Sequence, residues 1–381
     1  MNAFKEMLEK RVLDDEESRR LWRGAWQIGL PTTDSESFKK HDLERVVRFG
    51  EGAEAGRMSL RGEVPGGVTL LPLSEARMVY GFFFHNLALR KRKQEKSKDF
   101  FPMLIEACCN EGWFISAAKE SDGILWLDDL ALAGQAVEMR RVVAYVAKGA
   151  SLDIVIDRKV INHANEQTLI DLLIEEGGRC RMIELDLSGD KTACSLSHVR
   201  AQVKKNATFS HFSANRGGQC ARLDLFIELL GEDSKVDLQG IWSLEEKKTS
   251  HTEIEIVHKA PNTRSNQHFK GVLRDKSRST FVGKIFVEPG AQKTEAYQLN
   301  NNLILDRGAN AFSKPNLEIF TDDVKASHGA TVTQLSDEEL FYLRTRGIGQ
   351  NQAKELLRKG FTAPIIERFF SSEVRERLSA I

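Results

Sequence analysis

Short apolar runs recur along most of this chain without a helix-length pattern between them, and this constrains its fold more than any other feature. Such runs occupy Ile124–Leu127, Arg141–Val146, Leu152–Ile156, Met182–Leu187, Leu223–Leu229 and Val236–Trp242. They continue at Ile254–His258, Gln267–Leu273, Thr280–Val287, Leu303–Leu305 and Leu317–Phe320. Gly, Asn or Asp punctuates most gaps. A doubly wound α/β fold needs a helical segment between consecutive strands, so the pattern argues against it. Two segments echo each other 12 residues apart: Phe269-Lys270-Gly271-Val272-Leu273 and Phe281-Val282-Gly283-Lys284-Ile285. Strands at this spacing fit a sandwich, a barrel or a β-solenoid, and the pattern alone does not choose among them.

Both ends of the chain have a different character. Phe4, Met7, Leu8 and Val12 make one helical stripe, and Leu21, Trp22, Ala25 and Trp26 a second that stops at Gly29 and Pro31. Phe101–Cys109 reads as a further helix. Near the C-terminus Ser336-Asp337-Glu338-Glu339 is a capping box, in which the Ser side chain accepts from the third amide. Leu340, Leu343 and Gly347 then share a face, with Phe341 and Tyr342 beside it. Ala353, Leu356 and Leu357 form the next stripe, which Gly360 is expected to close. Pro364 suits the first position of a third helix carrying Ile366, Phe369, Phe370, Val374 and Leu378. The expected organisation is a mostly helical region over 1–110, a strand-rich core over 111–332 and a helical domain over 333–381. A solenoid has open ends that need caps, and terminal helices suit that need.

Lys plus Arg and Asp plus Glu both total 55, so the net charge is zero, which argues against a general nucleic-acid binder. No apolar run reaches the roughly 18 residues of a membrane span. The first residues carry Asp14, Asp15, Glu16 and Glu17 and no apolar leader, so a cytoplasmic location is expected. There, the five cysteines (Cys108, Cys109, Cys180, Cys194, Cys220) are expected to be reduced and incidental, and no Cys-x-x-Cys pair supports zinc. The basic run Arg90–Lys93 reads as a solvated linker. His258 and His268 read as satisfied core or surface histidines rather than a metal pair.

The last third of the sequence is more specific. It contains Val257-His258-Lys259-Ala260-Pro261-Asn262-Thr263-Arg264-Ser265, then the two echoing Phe-containing strands, then Ala291-Gln292-Lys293-Thr294 leading to Gln298-Leu299-Asn300. Lys314-Pro315-Asn316-Leu317-Glu318-Ile319 and Asp322-Asp323-Val324-Lys325 lead to Ser327-His328-Gly329-Ala330-Thr331. Leu340-Phe341-Tyr342-Leu343-Arg344 and Arg346-Gly347-Ile348 complete the series. In order and spacing these motifs resemble the SufB/SufD family of iron–sulfur cluster assembly scaffolds, the SufD branch in particular.

The resemblance implies a mainly β fold, a right-handed parallel β-helix flanked by helical regions. It implies a non-catalytic scaffold in a SufB–SufC–SufD complex. Its partners would be a SufB-like scaffold, joined through the β-helix, and a SufC-like ABC ATPase, with a homodimer in isolation and no nucleic acid or membrane. His328, expected at the end of a short strand in a Gly-Ala-Thr turn, would face the SufB-like partner. It would help hold a transient iron–sulfur cluster, with no cofactor permanently bound. Many relatives carry Cys two positions earlier, where this chain has Ala326, so any thiolate must come from the partner. Asp322, Asp323 and Lys325 read as solvated surface charge. The segment Leu340, Phe341, Tyr342, Leu343, Arg344, Arg346, Gly347 and Ile348 would dock the ATPase, since aromatic and Arg side chains anchor such surfaces. The chain itself has no Gly-x-x-x-x-Gly-Lys-Ser/Thr loop. A carbohydrate-active β-helix enzyme and a pure protein-interaction solenoid are the alternatives. Adjacent Asp322 and Asp323 would point to opposite faces of a strand and make a poor carboxylate pair for the enzyme.

Overall fold

The computed structural model describes residues 2–31, 57–80, 99–131 and 137–379. The basic run Arg90–Lys93 lies outside them. From residue 112 the chain alternates between two facing sheets, and each strand lies parallel to the strand two places later. One sheet contains β4 (Glu120–Ala131), β6 (Ser151–Val160), β8 (Arg179–Asp186), β10 (Thr208–Asn215), β12 (Lys235–Leu244), β14 (Arg264–Leu273), β16 (Thr294–Ile304) and β18 (Val324–Gln334). The other contains β3 (Gly112–Ala117), β5 (Val137–Val146), β7 (Asn165–Ile174), β9 (Cys194–Val203), β11 (Cys220–Leu229), β13 (Thr249–His258), β15 (Arg278–Val287) and β17 (Asn310–Ile319). This is the expected mainly β solenoid, of about 8 turns with helices at both termini.

Alternate side chains of each strand face inward. Because the ladders are parallel and in register, like positions stack into columns along the axis. Leu125, Ile154, Met182, His211, Leu238, Gln267, Gln298 and His328 are successive neighbours in one inward column, at steps of 27 to 31 residues. That step, one full turn, is the true repeat. The 12-residue echo joins opposite walls instead: Phe269 on β14 meets Phe281 on β15 across the interior, ring centroids 5.4 Å apart. Corners are made by short polar residues in the left-handed conformation, among them Asn206, Asp233, Asn262 and Asp275, a conformation that Asn and Asp tolerate best after Gly.

The two ends differ. At the N-terminal end β1 (Arg57–Arg61) lies antiparallel on β4 and β2 (Val68–Pro72) antiparallel on β3, so each sheet finishes in a reversed strand. The region expected to be mostly helical thus contains two strands. Its helices are α1 (Asn2–Glu9), α2 (Glu16–Ile28), α3 (Leu73–Val79) and α4 (Phe100–Cys108). Phe4, Leu8, Leu21, Trp22, Phe101 and Leu104 bury against Val137, Leu169 and Leu196 on the outer face of the second sheet.

The C-terminal helices are α5 (Asp337–Thr345), α6 (Gln350–Ile366) and α7 (Ser372–Leu378). Two expectations change here. Gly360 does not close a helix and Pro364 does not open one, because α6 runs through both. Packing outweighs the local signals: Thr362 and Ile365 are buried, and Lys270 Nζ donates to the Phe361 carbonyl at 2.8 Å. Nor do these helices cap the solenoid's end. Ile365, Phe369, Val374 and Leu378 pack on Val155, Ile183, Leu185, Phe212 and Ile241, along the flank of the first sheet.

Candidate functional site at the open end

β17 and β18 are the last strands of their sheets, each paired on one side only among the described residues. His328 does not end a strand before a Gly-Ala-Thr turn; Gly329, Ala330 and Thr331 continue β18 to Gln334. The small residues make no turn here because the ladder with β16 persists through them, Leu299 beside Gly329 and Asn301 beside Thr331. His328 is in register with Gln298 and therefore on the inward face, yet it is exposed because no further turn covers it. Ala326, in the same column set, lies beside Ala296 and packs near Ile285 and Val287. Asp322, Asp323 and Lys325 are exposed, and Lys325 Nζ lies 3.7 Å from Glu295.

Beneath His328 the interior is lined with amides. Gln298 Nε2 donates to Gln267 Oε1 at 2.8 Å, and Asn302 Nδ2 to Asn300 Oδ1 at 2.8 Å. Gln298 reaches across to Gly283 on the opposite wall, where an added Cβ would lie 1.9 Å from its Nε2. Deeper in, the lining becomes ionic. Glu184 accepts from Ser197 at 2.7 Å, contacts Arg158 at 2.6 Å and pairs with His211 Nε2 at 2.6 Å. Burial pushes its carboxyl up, but Arg158 and His211 outweigh this and hold it at about 2. Nearby Glu166 lies 4.0 Å from Arg158 and accepts from Thr168, but burial outweighs both and pushes it up to about 8.

His258 and His268 do not meet. His258, on β13, bonds Thr263 Oγ1 at 2.8 Å and Ser265 Oγ at 2.9 Å, and burial pushes it down to about 3, so it is neutral. His268, on β14, lies 3.2 Å from Asn301 Oδ1. The five cysteines are buried. Cys180 is in the solenoid core, while Cys108, Cys109, Cys194 and Cys220 lie under the N-terminal helices. Burial pushes the Cys108 thiol up to about 12, so it is an inert thiol rather than a reactive thiolate. None of them lies at the open end. Sequence reasoning did not single out Asp224, His251 and Glu253, which are grouped closely enough to hold a metal among the described residues. Arg222 already bridges both carboxylates, at 2.8 Å to Asp224 and 2.7 Å to Glu253.

Beyond β18 the capping box forms, the Glu339 amide donating to Ser336 Oγ at 3.3 Å. No residue of α5 is buried. Phe341 and Tyr342 are 68% and 57% exposed, and the Arg346 guanidinium sits 5.3 Å from the Tyr342 ring centre. Leu340, Leu343 and Ile348 are half-buried, Arg344 and Arg346 are exposed, and Gly347 ends the segment at φ +83°. The docking residues read from sequence thus lie on α5 and the turn after it, with Phe341, Tyr342, Arg344 and Arg346 exposed.

Residues 130–361 match the family model described as "SUF system FeS cluster assembly, SufBD core domain". The chain is 33% identical over 233 residues to an iron–sulfur cluster assembly SufBD family protein of Mycobacterium leprae (strain TN), covering 58% of this chain and 59% of the relative. It is 30% identical over 237 residues to the iron–sulfur cluster assembly protein SufD of Escherichia coli (strain K12), covering 62% and 56%. A chloroplastic protein of Arabidopsis thaliana, ABCI7, is 28% identical over 237 residues, covering 54% and 50%. The matches therefore span between half and three-fifths of these curated relatives.

Proposed function

Since the chain belongs to the SufBD core-domain family of the SUF iron–sulfur cluster assembly system, we propose that it is a SufD-like, non-catalytic scaffold subunit. It would work with a SufB-like scaffold and a SufC-like ATPase. The observation that carries this reading is the open final turn, with His328 on its inward face and the edges of β17 and β18 unpaired among the described residues.

An unpaired edge strand is a template for another chain. β18 is eleven residues long, has no proline and carries small side chains on either side of His328, at Ala326, Ser327, Gly329 and Ala330. β17 contains Pro315, which sheets tolerate on an edge but which withholds one donor from a new ladder. β18 is thus the better template for a SufB-like partner, and pairing there places His328 at the joint. A neutral imidazole is a competent iron ligand. With Ala326 where a thiolate would stand and every cysteine buried elsewhere, the cluster's thiolate comes from the partner. Phe341, Tyr342, Arg344 and Arg346 supply the ATPase contact, and the ATPase supplies the work that opens and closes the scaffold joint.

The test is co-expression with SufB-like and SufC-like proteins followed by affinity purification, against a control lacking residues 336–381. Recovery of both partners, with the ATPase depleted in the control, supports the reading. A lone chain refutes it. Iron analysis of His328→Ala in the intact complex then separates a cluster role, seen as lost iron, from a pure interaction solenoid.

A further inference from the structure

The column beneath His328 contains an unused hydrogen-bond acceptor. Gln298 is only 2% exposed, and its Nε2 is engaged by Gln267, but its Oε1 has no partner. Buried amide oxygens are nearly always paired, so an unpaired one calls for an explanation. Gln298 and His328 are direct neighbours in a parallel ladder and share the inward face. Adjacent strands lie about 4.8 Å apart, which brings a glutamine amide within reach of a neighbouring imidazole. In the preceding turn the same geometry is already used, since Gln267 and Gln298 are also direct neighbours and are joined at 2.8 Å.

We propose that Gln298 is a positioning residue for His328. Its carbonyl oxygen accepts from one ring N–H of His328, fixes the tautomer and leaves the other nitrogen bare and turned out of the open end. Metal-binding histidines are commonly held this way by a second hydrogen bond, which orients the ring and raises its basicity. Gly283 is part of the device, because any side chain there would displace the Gln298 amide. The inference rests on the reading that His328 faces the cluster.

The experiment is nitrogen-15 NMR of the histidine rings in the full chain, above the pH at which they titrate, with His328→Ala identifying the signals. One protonated and one bare nitrogen are expected at His328. Gln298→Leu should move both shifts toward a common averaged value, and Gln298→Glu, which keeps an acceptor, should restore the single tautomer. If Gln298→Leu fails to fold, Gln298→Asn withdraws the acceptor while keeping the amide, and should average the shifts likewise. Averaged shifts in the unaltered protein, or a single tautomer surviving loss of the acceptor, would overturn the assignment. The iron content of His328→Ala in the complex tests the scaffold reading separately, so either idea can fail alone.

Discussion

Removing Asp171 should detach the N-terminal helices from the solenoid. Asp171 lies on the outer face of β7, between Arg141 of β5 and Arg200 of β9, at 2.8 and 2.5 Å. Glu106 of α4 closes the group from above, 2.6 Å from Arg200 and 3.6 Å from Arg141. The two guanidinium groups and two carboxylates balance, and all four residues are buried. Exposed ion pairs contribute about 0.2–1 kcal/mol, but deleting one member of a buried group leaves a desolvated charge uncompensated and costs about 3–5 kcal/mol. Asp171→Ala leaves two arginines sharing Glu106, so the larger figure applies. Trp22 and Trp26 report on the same region, with Trp26 5.3 Å from Phe100 at the start of α4. Urea unfolding followed by tryptophan fluorescence should therefore show an early transition in the variant, ahead of the far-ultraviolet β signal. Coincident transitions, or a loss below about 1 kcal/mol, would refute the reasoning and leave apolar packing as what holds α4.

Other outcomes follow from single residues. The His258 ring titrates at about 3 when folded, against an ordinary value of 6.5, so protonation favours the unfolded chain; stability is complete above about pH 6.5 and should fall by about 1.4 kcal/mol per unit as pH drops toward 3, a slope that His258→Gln should lack in denaturation measured at several pH values. Asp157 joins Arg61 of β1 (2.6 Å) and Arg377 of α7 (2.7 Å), which hold its carboxyl below the ordinary range despite burial. That contribution is present above the unfolded value of 3.8 and is lost as pH falls below it, and Asp157→Asn should cost about 1–3 kcal/mol and speed proteolysis at both ends of the chain. Gly271→Ala would put a Cβ 2.1 Å from Trp242 Nε1 and should lower the unfolding free energy by about 1–3 kcal/mol, measured by urea denaturation. Phe341→Ala with Tyr342→Ala should leave the unfolding midpoint unchanged, since both side chains are exposed, and weaken ATPase recovery at least tenfold.

The strands that were legible are those whose inward positions are apolar, such as Ile254 and Ile256 or Phe281 and Ile285. β7, β9 and β10 were not, because polar residues occupy buried positions: Glu166 and Thr168, Ser195 and Ser197, His211 and Ser213. Some of their partners are far away in sequence, Glu184 lying 27 positions from His211 and Arg158 lying 39 from Ser197, which no local periodicity can register. The same applies to Asp171 and Glu106, which read as ordinary charges until the fold brings them to two arginines. His328 was legible through its motif and its position in the chain, but its strand was misjudged because Gly, Ala and Thr resemble a turn when the ladder partner is unseen. Gln298 was legible only as part of the Gln298-Leu299-Asn300 motif; its place beside His328 comes from register.

The unequal ends of the solenoid also bear on why the C-terminal helices lie where they do. A helix laid across the last turn would have protected the edges of β17 and β18 from indiscriminate pairing, the usual remedy for a long free edge. Instead α6 and α7 spend their apolar residues on the flank, over Val155, Ile183 and Phe212, and Asp157 ties that flank to both β1 and α7. Among the described residues, helix placement therefore leaves the last turn uncovered, and α5 follows directly from β18. A scaffold that must join a partner at its end and an ATPase next to that joint requires this division. A pure interaction solenoid would not need His328 to sit on the inward face. The two readings differ in what happens when the edge is blocked without touching His328. Val332→Pro removes an N–H from the free edge of β18 and should abolish partner recovery, and the accompanying loss of iron should match that of the missing partner. Retained iron in a chain that no longer pairs would mean that His328 binds metal alone, and would refute a shared cluster at the joint.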